Sequence, residues 1–316
     1  MLVISFRALK ARKVYSSINI VGLSLGVAIT GLVYLLIKYE NNFDRFHENR
    51  DRIFRLESNI YFSGKEGESY WRIPELPAPL IDKIRSEIPG INRSTRFIKS
   101  YRDAIVQFND EVFSEKITYV DKDFFEMFSF NFLRGNRKRC FIDLPSVVMS
   151  ESSAQKYFGS SDPIGKIISV EGKDKKLYTV RGVVEDLPDN SSINFSLIVP
   201  VESWVYYEDY RASWNEYTYA FFVELNSNIN AAALKNSLNH LVNESMKTEL
   251  DQLRANNHVT DKLKNVFEIS ISSLTDIHWN TKIPWEKTSN PKSFHILIWI
   301  AFIIIILACI NLSLFL

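Results

Sequence analysis

The stretch Gly159-Ser160-Ser161-Asp162-Pro163-Ile164-Gly165-Lys166-Ile167 has the residue types of a loop that cradles phosphate. Such a loop needs four residues between its glycines, and a Ser or Thr after its lysine to reach magnesium. Here five residues intervene, Ile167 follows Lys166, and Pro163 removes a backbone donor from the cradle. The spacing predicts a turn that ends a helix and opens a strand, so the chain is not expected to hold ATP itself. The five histidines, His47, His240, His258, His278 and His295, show no metal-ligand spacing, and no cysteine lies near enough to complete a zinc site. No nucleophile elbow surrounds a serine. Asp186, Asp189 and Asn190 cluster around Pro188, which reads as a turn. Ile306-Leu307-Ala308-Cys309 has the form of a lipid-attachment box at the wrong end of the chain for N-terminal processing, so Cys309 reads as a small buried membrane residue. Cys140 lies in a different context, and no bridge between the two is expected. The chemistry-bearing residues thus predict no enzyme, no metal and no cofactor.

The elements that carry these residues begin and end in apolar segments. The 316 residues are 46% hydrophobic and 24% charged, averages that resemble a soluble globular protein. They conceal Val14 to Ile37 and Ser293 to Leu316, each without a charged residue. About 20 mostly apolar residues cross a hydrocarbon core of roughly 30 Å as a helix, and both segments are long enough. The net charge of +1 offers no field that would gather nucleic acid. Arg7, Lys10, Arg12 and Lys13 precede the first span without an acid among them, whereas Lys38, Glu40, Asp44 and Arg45 follow it. By the positive-inside rule the N-terminus is expected in the cytoplasm and the middle of the chain on the far side. A cleaved signal peptide would need a shorter apolar core and a small-x-small site, but Leu36-Ile37-Lys38-Tyr39-Glu40 follows.

The expected organisation is a basic amphipathic cytoplasmic segment over 1–13, a first transmembrane helix over 14–38, a periplasmic domain over 39–292 and a second transmembrane helix over 293–316. In the first segment Leu2, Phe6 and Leu9 share one helical face, as suits a helix on the lipid surface. In the first span Gly22, Gly26 and Thr30 recur every four residues, a spacing that lets another helix approach closely, so these three are the candidate helix-packing residues.

The middle region reads as α+β. Two strand–helix–strand units, 53–62/76–88/95–99 and 217–225/231–254/266–272, bracket a mostly β stretch. This predicts a larger αβ part over about 50–118 and 215–275 with a smaller β-rich part inserted over about 119–205. Asn230 can cap the helix that follows it, and Pro89-Gly90 stops the one before it. The dense aromatics Trp204, Tyr206, Tyr207, Tyr210 and Trp214 suit either a core patch or a surface that grips a partner or lipid. The segment 276–292, polar and holding Pro284 and Pro291, reads as the link to the second span.

Ordered matches along the whole chain resemble a known family. They are Phe6-Arg7-Ala8-Leu9 with Asn19-Ile20-Val21-Gly22-Leu23-Ser24-Leu25-Gly26; Phe43-Asp44-Arg45-Phe46-His47 with Asp51-Arg52-Ile53-Phe54-Arg55; and Tyr119-Val120-Asp121 with Phe124-Phe125-Glu126-Met127-Phe128. Further along come Lys156-Tyr157-Phe158-Gly159 with Asp162-Pro163-Ile164-Gly165-Lys166, then Leu274-Thr275-Asp276-Ile277-His278 and Ala308-Cys309-Ile310-Asn311-Leu312-Ser313. Together they resemble permease subunits of ABC transporters of the MacB/FtsX type, in the version typical of the Bacteroidetes. The resemblance implies a permease of the bacterial inner membrane that dimerises with a second copy and binds a separate ATPase. ATP-driven movement would pass to its outer domain, to expel peptide, antibiotic or lipoprotein-like cargo or to switch a periplasmic partner. It also implies a cytoplasmic coupling helix and further spans after the second one, so this chain, which stops at Leu316, is expected to be either a fragment or a form that has lost the coupling apparatus. The alternative from another class is the periplasmic sensing module of a two-span signal receptor; a membrane-tethered enzyme is the third reading.

Overall fold

The structure, a computed structural model, describes residues 13–64, 67–100, 102–143, 145–171, 175–226, 230–256, 266–283 and 285–313. The expected amphipathic segment over 1–13 lies outside the described residues except for Lys13. The helices are α1 (Lys13–Asn41), α2 (Pro79–Glu87), α3 (Phe124–Met127), α4 (Glu151–Phe158), α5 (Tyr207–Tyr210), α6 (Ala231–Ser245), α7 (Lys247–Asn256) and α8 (Pro291–Ser313). The strands are β1 (Ile53–Gly64), β2 (Gly67–Ile73), β3 (Glu75–Pro77), β4 (Ile91–Lys99), β5 (Ala104–Phe108), β6 (Glu111–Glu115), β7 (Ile117–Val120), β8 (Phe132–Gly135), β9 (Ser146–Ser150), β10 (Ile167–Glu171), β11 (Lys175–Val184), β12 (Leu197–Pro200), β13 (Tyr217–Leu225) and β14 (Phe267–Ser273).

The chain divides into two units, one formed by residues 1–43 and 289–316 and the other by 44–288. In the first unit, α1 and α8 are 29 and 23 residues long. At about 1.5 Å per residue, even the shorter helix reaches about 35 Å, enough for a bilayer core. Only 6% and 11% of their most apolar windows are buried within the structure. A core helix of a soluble protein would be mostly covered, so these are two apolar helices whose surfaces require a solvent other than water.

In the second unit, the strands form one mixed sheet in the order β14-β1-β13-β4-β7-β12-β9-β11-β10-β5-β6, with β2, β3 and β8 pairing β1, β13 and β11 off this path. Parallel pairing occurs at β11/β9 and β12/β7. Alternation along β13 separates two cores. Tyr219, Phe221, Val223 and Leu225 face Leu80, Ile81 and Ile84 of α2 and Leu234, Leu238 and Leu241 of α6. Ala220 and Phe222 face a phenylalanine cluster built by Phe124, Phe125 and Phe128 with Phe130 and Phe195. A third core, around Val147, Ile168, Val180 and Leu197, is closed by Ala154, Tyr157 and Phe158 of α4.

Several expected boundaries move. The helix expected over 231–254 is two helices meeting at Met246, which is fully buried. Leu234, Leu238 and Leu241 share one face, but Leu250 lies nine residues further on, and the break returns it to the core. The helix expected over 76–88 starts at Pro79, where a missing N–H costs nothing, and Glu75–Pro77 form β3 instead. The β5–β6 hairpin pairs with β10 through Ser169↔Gln107 and Val170↔Val106, beside the β-rich strands that follow it in sequence.

Candidate functional site

Of the predicted helix-packing residues, Gly26 is buried, Thr30 half-buried and Gly22 exposed. A Cβ at Gly26 would lie 3.3 Å from the Ala308 Cβ and 3.6 Å from the Ile304 Cγ2 of α8. Glycine therefore lets α1 approach the chain's own second apolar helix, and any larger side chain would have to push Ala308 away. The Thr30 hydroxyl donates to the Gly26 carbonyl at 2.8 Å, satisfying itself within α1.

The glycine loop that imitates a phosphate cradle is committed to the fold. The Gly165 N–H donates to the Val180 carbonyl at 2.9 Å. The Lys166 ammonium lies over the rings of Phe158 and Phe108, at 5.2 and 5.7 Å. The aromatics around Trp204 pack mainly inward. Trp204, Tyr207, Tyr210 and Trp214 lean on the α2/α6 core, and Tyr206 is exposed.

The most organised polar cluster lies where the 44–288 unit begins and ends, on a loop the sequence offered only as a turn. The Asp44 N–H donates to the Asn190 carbonyl at 3.0 Å, and its Oδ1 accepts from the Ser192 N–H at 2.8 Å. From the other end of the unit, the Trp285 indole N–H donates to the Ser192 carbonyl and the Lys287 ammonium to the Asp189 carbonyl, both at 2.8 Å. The Lys287 carbonyl in turn accepts from His278 Nδ1 at 2.5 Å, which places a proton on that nitrogen. One loop, 189–192, thus holds both ends. Asp44 and Lys287 also have positive φ, 57° and 53°, a conformation that costs a non-glycine residue roughly 1 kcal/mol or more. The surrounding hydrogen bonds hold both residues there. Asp44 is fully buried, and burial raises its carboxyl above the ordinary range although the Ser192 bonds oppose this.

His47 completes this corner. Its Nδ1 accepts from the Ser129 N–H at 3.1 Å, so the ring is neutral with its proton on Nε2. Phe46, Phe128 and Phe130 surround it at ring distances of 4.0, 5.2 and 5.4 Å. Burial without a counter-charge lowers its pKa to about 3. The Phe43–His47 stretch therefore supplies buried anchors. Among the described residues, no group of three His, Cys, Asp or Glu side chains is placed to hold a metal ion.

None of the curated proteins matches the chain. Among solved structures, a domain assigned to a permease protein from Porphyromonas gingivalis shares the fold, with a TM-score of 0.56 at 20% identity, over 79% of this chain and 98% of that one. The periplasmic region of MacB from Actinobacillus actinomycetemcomitans aligns with a TM-score of 0.44 at 15% identity, over 72% of this chain and 90% of that one. The extracellular domain of the noncanonic ABC-type transporter YknZ from Gram-positive bacteria gives 0.44 at 14%, over 69% and 99%. The family model described as MacB-like periplasmic core domain matches residues 16–241, well over half the chain. The chain belongs to the MacB-like periplasmic core domain family.

Proposed function

We propose that the chain is part of a permease subunit of the MacB/FtsX type that passes ATP-driven movement from its helices to the 44–288 domain. It works with a separate ATPase and a second permease copy in the bacterial inner membrane, with the N-terminus cytoplasmic and the domain periplasmic. The work done is export or extrusion of peptide, antibiotic or lipoprotein-like cargo. The β-rich stretch inserted between the two strand–helix–strand units is the smaller of two parts of that domain. The observation that carries the reading is the loop 189–192, which grips the domain's first residue through Asp44 and its exit through Trp285 and Lys287. In this reading a displacement that reaches Asp44 or Lys287 is passed to the 189–192 loop through hydrogen bonds. Support also comes from Gly26, whose close approach to Ala308 joins the two helices so that they can move together.

The test uses the full permease with its ATPase in liposomes, spin-labelled through Ile142→Cys in a Cys309→Ala background. Ile142 is exposed and lies far in sequence from the clamp. ATP binding is expected to change the label-to-label distance between the two copies. Asp44→Ala with Lys287→Ala should reduce that change by more than half while ATP hydrolysis persists. An identical distance change in the variant would remove the clamp from the mechanism.

A further inference from the structure

The sheet of the 44–288 domain opens at one point. Phe97 of β4 is paired on both sides, to Ala220 of β13 and to Val120 of β7. Before Phe97, β4 runs along β13, and after it β4 runs along β7. The strands therefore splay apart, and residues 217–219 of β13 keep β3 on one side with no strand on the other among the described residues. Successive residues of a strand turn their N–H and C=O groups to alternate sides, so this stretch offers main-chain groups to the gap. A cleft of about 1030 Å³ occupies it.

Its lining combines three chemistries. Trp204, Tyr210, Tyr178 and Trp285 supply aromatic wall. Thr218 contributes a buried hydroxyl with no hydrogen-bond partner among the described residues. Glu75, opposite Ala220 across the β3/β13 pair, contributes a half-buried carboxylate with no ion-pair partner within 4.0 Å among the described residues. Arg55, which bonds Glu57 at 2.7 Å and lies 4.8 Å over the Trp285 ring, is near enough to influence it. Burial raises the Glu75 carboxyl above its ordinary range, as expected of a negative charge lacking a close partner. The lining holds four acidic and four basic side chains, and Lys99 already pairs with Glu286. Selection then depends on the local carboxylate rather than on a field over the whole cleft.

We infer that this cleft binds a short extended peptide segment, which adds to the open edge of β13 and places one lysine or arginine side chain on Glu75 among the aromatic rings. The edge calls for a polypeptide backbone, since main-chain pairing is how an extended peptide joins a sheet. The carboxylate calls for a cation, and the aromatic walls favour the same charge and the aliphatic stem that carries it. This goes beyond the permease reading and does not depend on it. A chain that binds such a peptide yet does not move with ATP would contradict only the coupling, and the reverse result would contradict only the cleft.

The experiment is calorimetric titration of the full chain in detergent micelles, with an empty-micelle blank. Three capped pentapeptides serve as probes: Thr-Lys-Thr-Phe-Thr, the same peptide with norleucine for lysine, and the lysine peptide N-methylated at alternate amides. A hydrogen bond to a charged group predicts that the lysine peptide binds about tenfold or more tighter than the norleucine one. Glu75→Gln should bring that ratio close to one, and N-methylation should weaken binding to the unaltered chain. The norleucine arm needs no protein variant, so a misfolded Glu75→Gln chain leaves the test decisive. Equal affinity for the lysine and norleucine peptides, no binding of any probe, a ratio unchanged by Glu75→Gln, or indifference to N-methylation would each overturn the proposal.

Discussion

Replacing Asp121 with Ala lowers the stability of the 44–288 domain by about 3–5 kcal/mol, the range for removing one partner of a buried ion pair. Asp121 and Arg96 are 3% and 5% exposed. The carboxylate accepts from Arg96 Nη2 and from the Arg96 backbone N–H, both at 2.6 Å, and from Nε at 3.1 Å. Burial alone would lower the Arg96 pKa, but the hydrogen bonds and charge of Asp121 outweigh it and hold the guanidinium more strongly charged than usual. Truncating Asp121 strands that cation beside the rings of Tyr207 and Tyr219, with no other acid in hydrogen-bonding contact among the described residues. The pair also ties β4 to the end of β7 beside the point where the sheet splays. Asp121→Ala with Arg96→Met should recover much of the deficit, because no buried charge remains. The urea midpoint of the tryptophan near-ultraviolet signal measures both. A loss under about 1 kcal/mol for Asp121→Ala would show the pair to be expendable.

The domain should also lose stability in mild acid at about 1.4 kcal/mol per pH unit through His47 alone. Its pKa is lowered to about 3 in the folded chain from an ordinary value of 6.5, so between those values the unfolded chain binds a proton that the folded chain refuses. Stability contributed by the neutral ring is fully present above pH 6.5 and declines as pH falls toward 3. Asp44 and Glu75 act with the opposite sign. Their raised values mean that the folded chain takes up protons first as pH falls, which offsets part of the loss. Between pH 6.5 and 5 the His47 contribution by itself is an expected loss of about 2 kcal/mol. His47→Gln should flatten the profile there. A profile equally steep with and without His47 would place the sensitivity elsewhere.

Local signals in the chain proved sufficient for local structure. The strand expected over 217–225 has those bounds, and the turn expected over 159–167 does end a helix, Glu151–Phe158, which Ser150 caps by accepting from the Ser153 N–H, and open a strand at Ile167. Asn230 caps α6 by accepting from the Ala232 N–H at 2.8 Å. The terminal helices were equally plain, because lipid-length apolar runs are rare in water-soluble cores. Strands β2 and β3 were not legible. Gly67–Ile73 is largely polar and takes its conformation from pairing with β1, and Glu75–Pro77 is too short for periodicity to register. The clamp was hidden for a stronger reason. Asp189–Ser192 has the composition of any turn, and its partners lie 148, 93 and 98 residues away in Asp44, Trp285 and Lys287. No window of sequence contains that meeting. The one available signal was Trp285, one of two tryptophans in a polar linker.

The central claim is that both terminal helices lie in lipid while 44–288 faces the outside of the cell membrane, and limited proteolysis of spheroplasts expressing the chain tests it most directly. The account predicts that protease added outside degrades the 44–288 domain and leaves two carbonate-resistant membrane fragments containing 14–38 and 293–313. A domain that is cut only after the cells are lysed, or a chain released whole by carbonate, would contradict it.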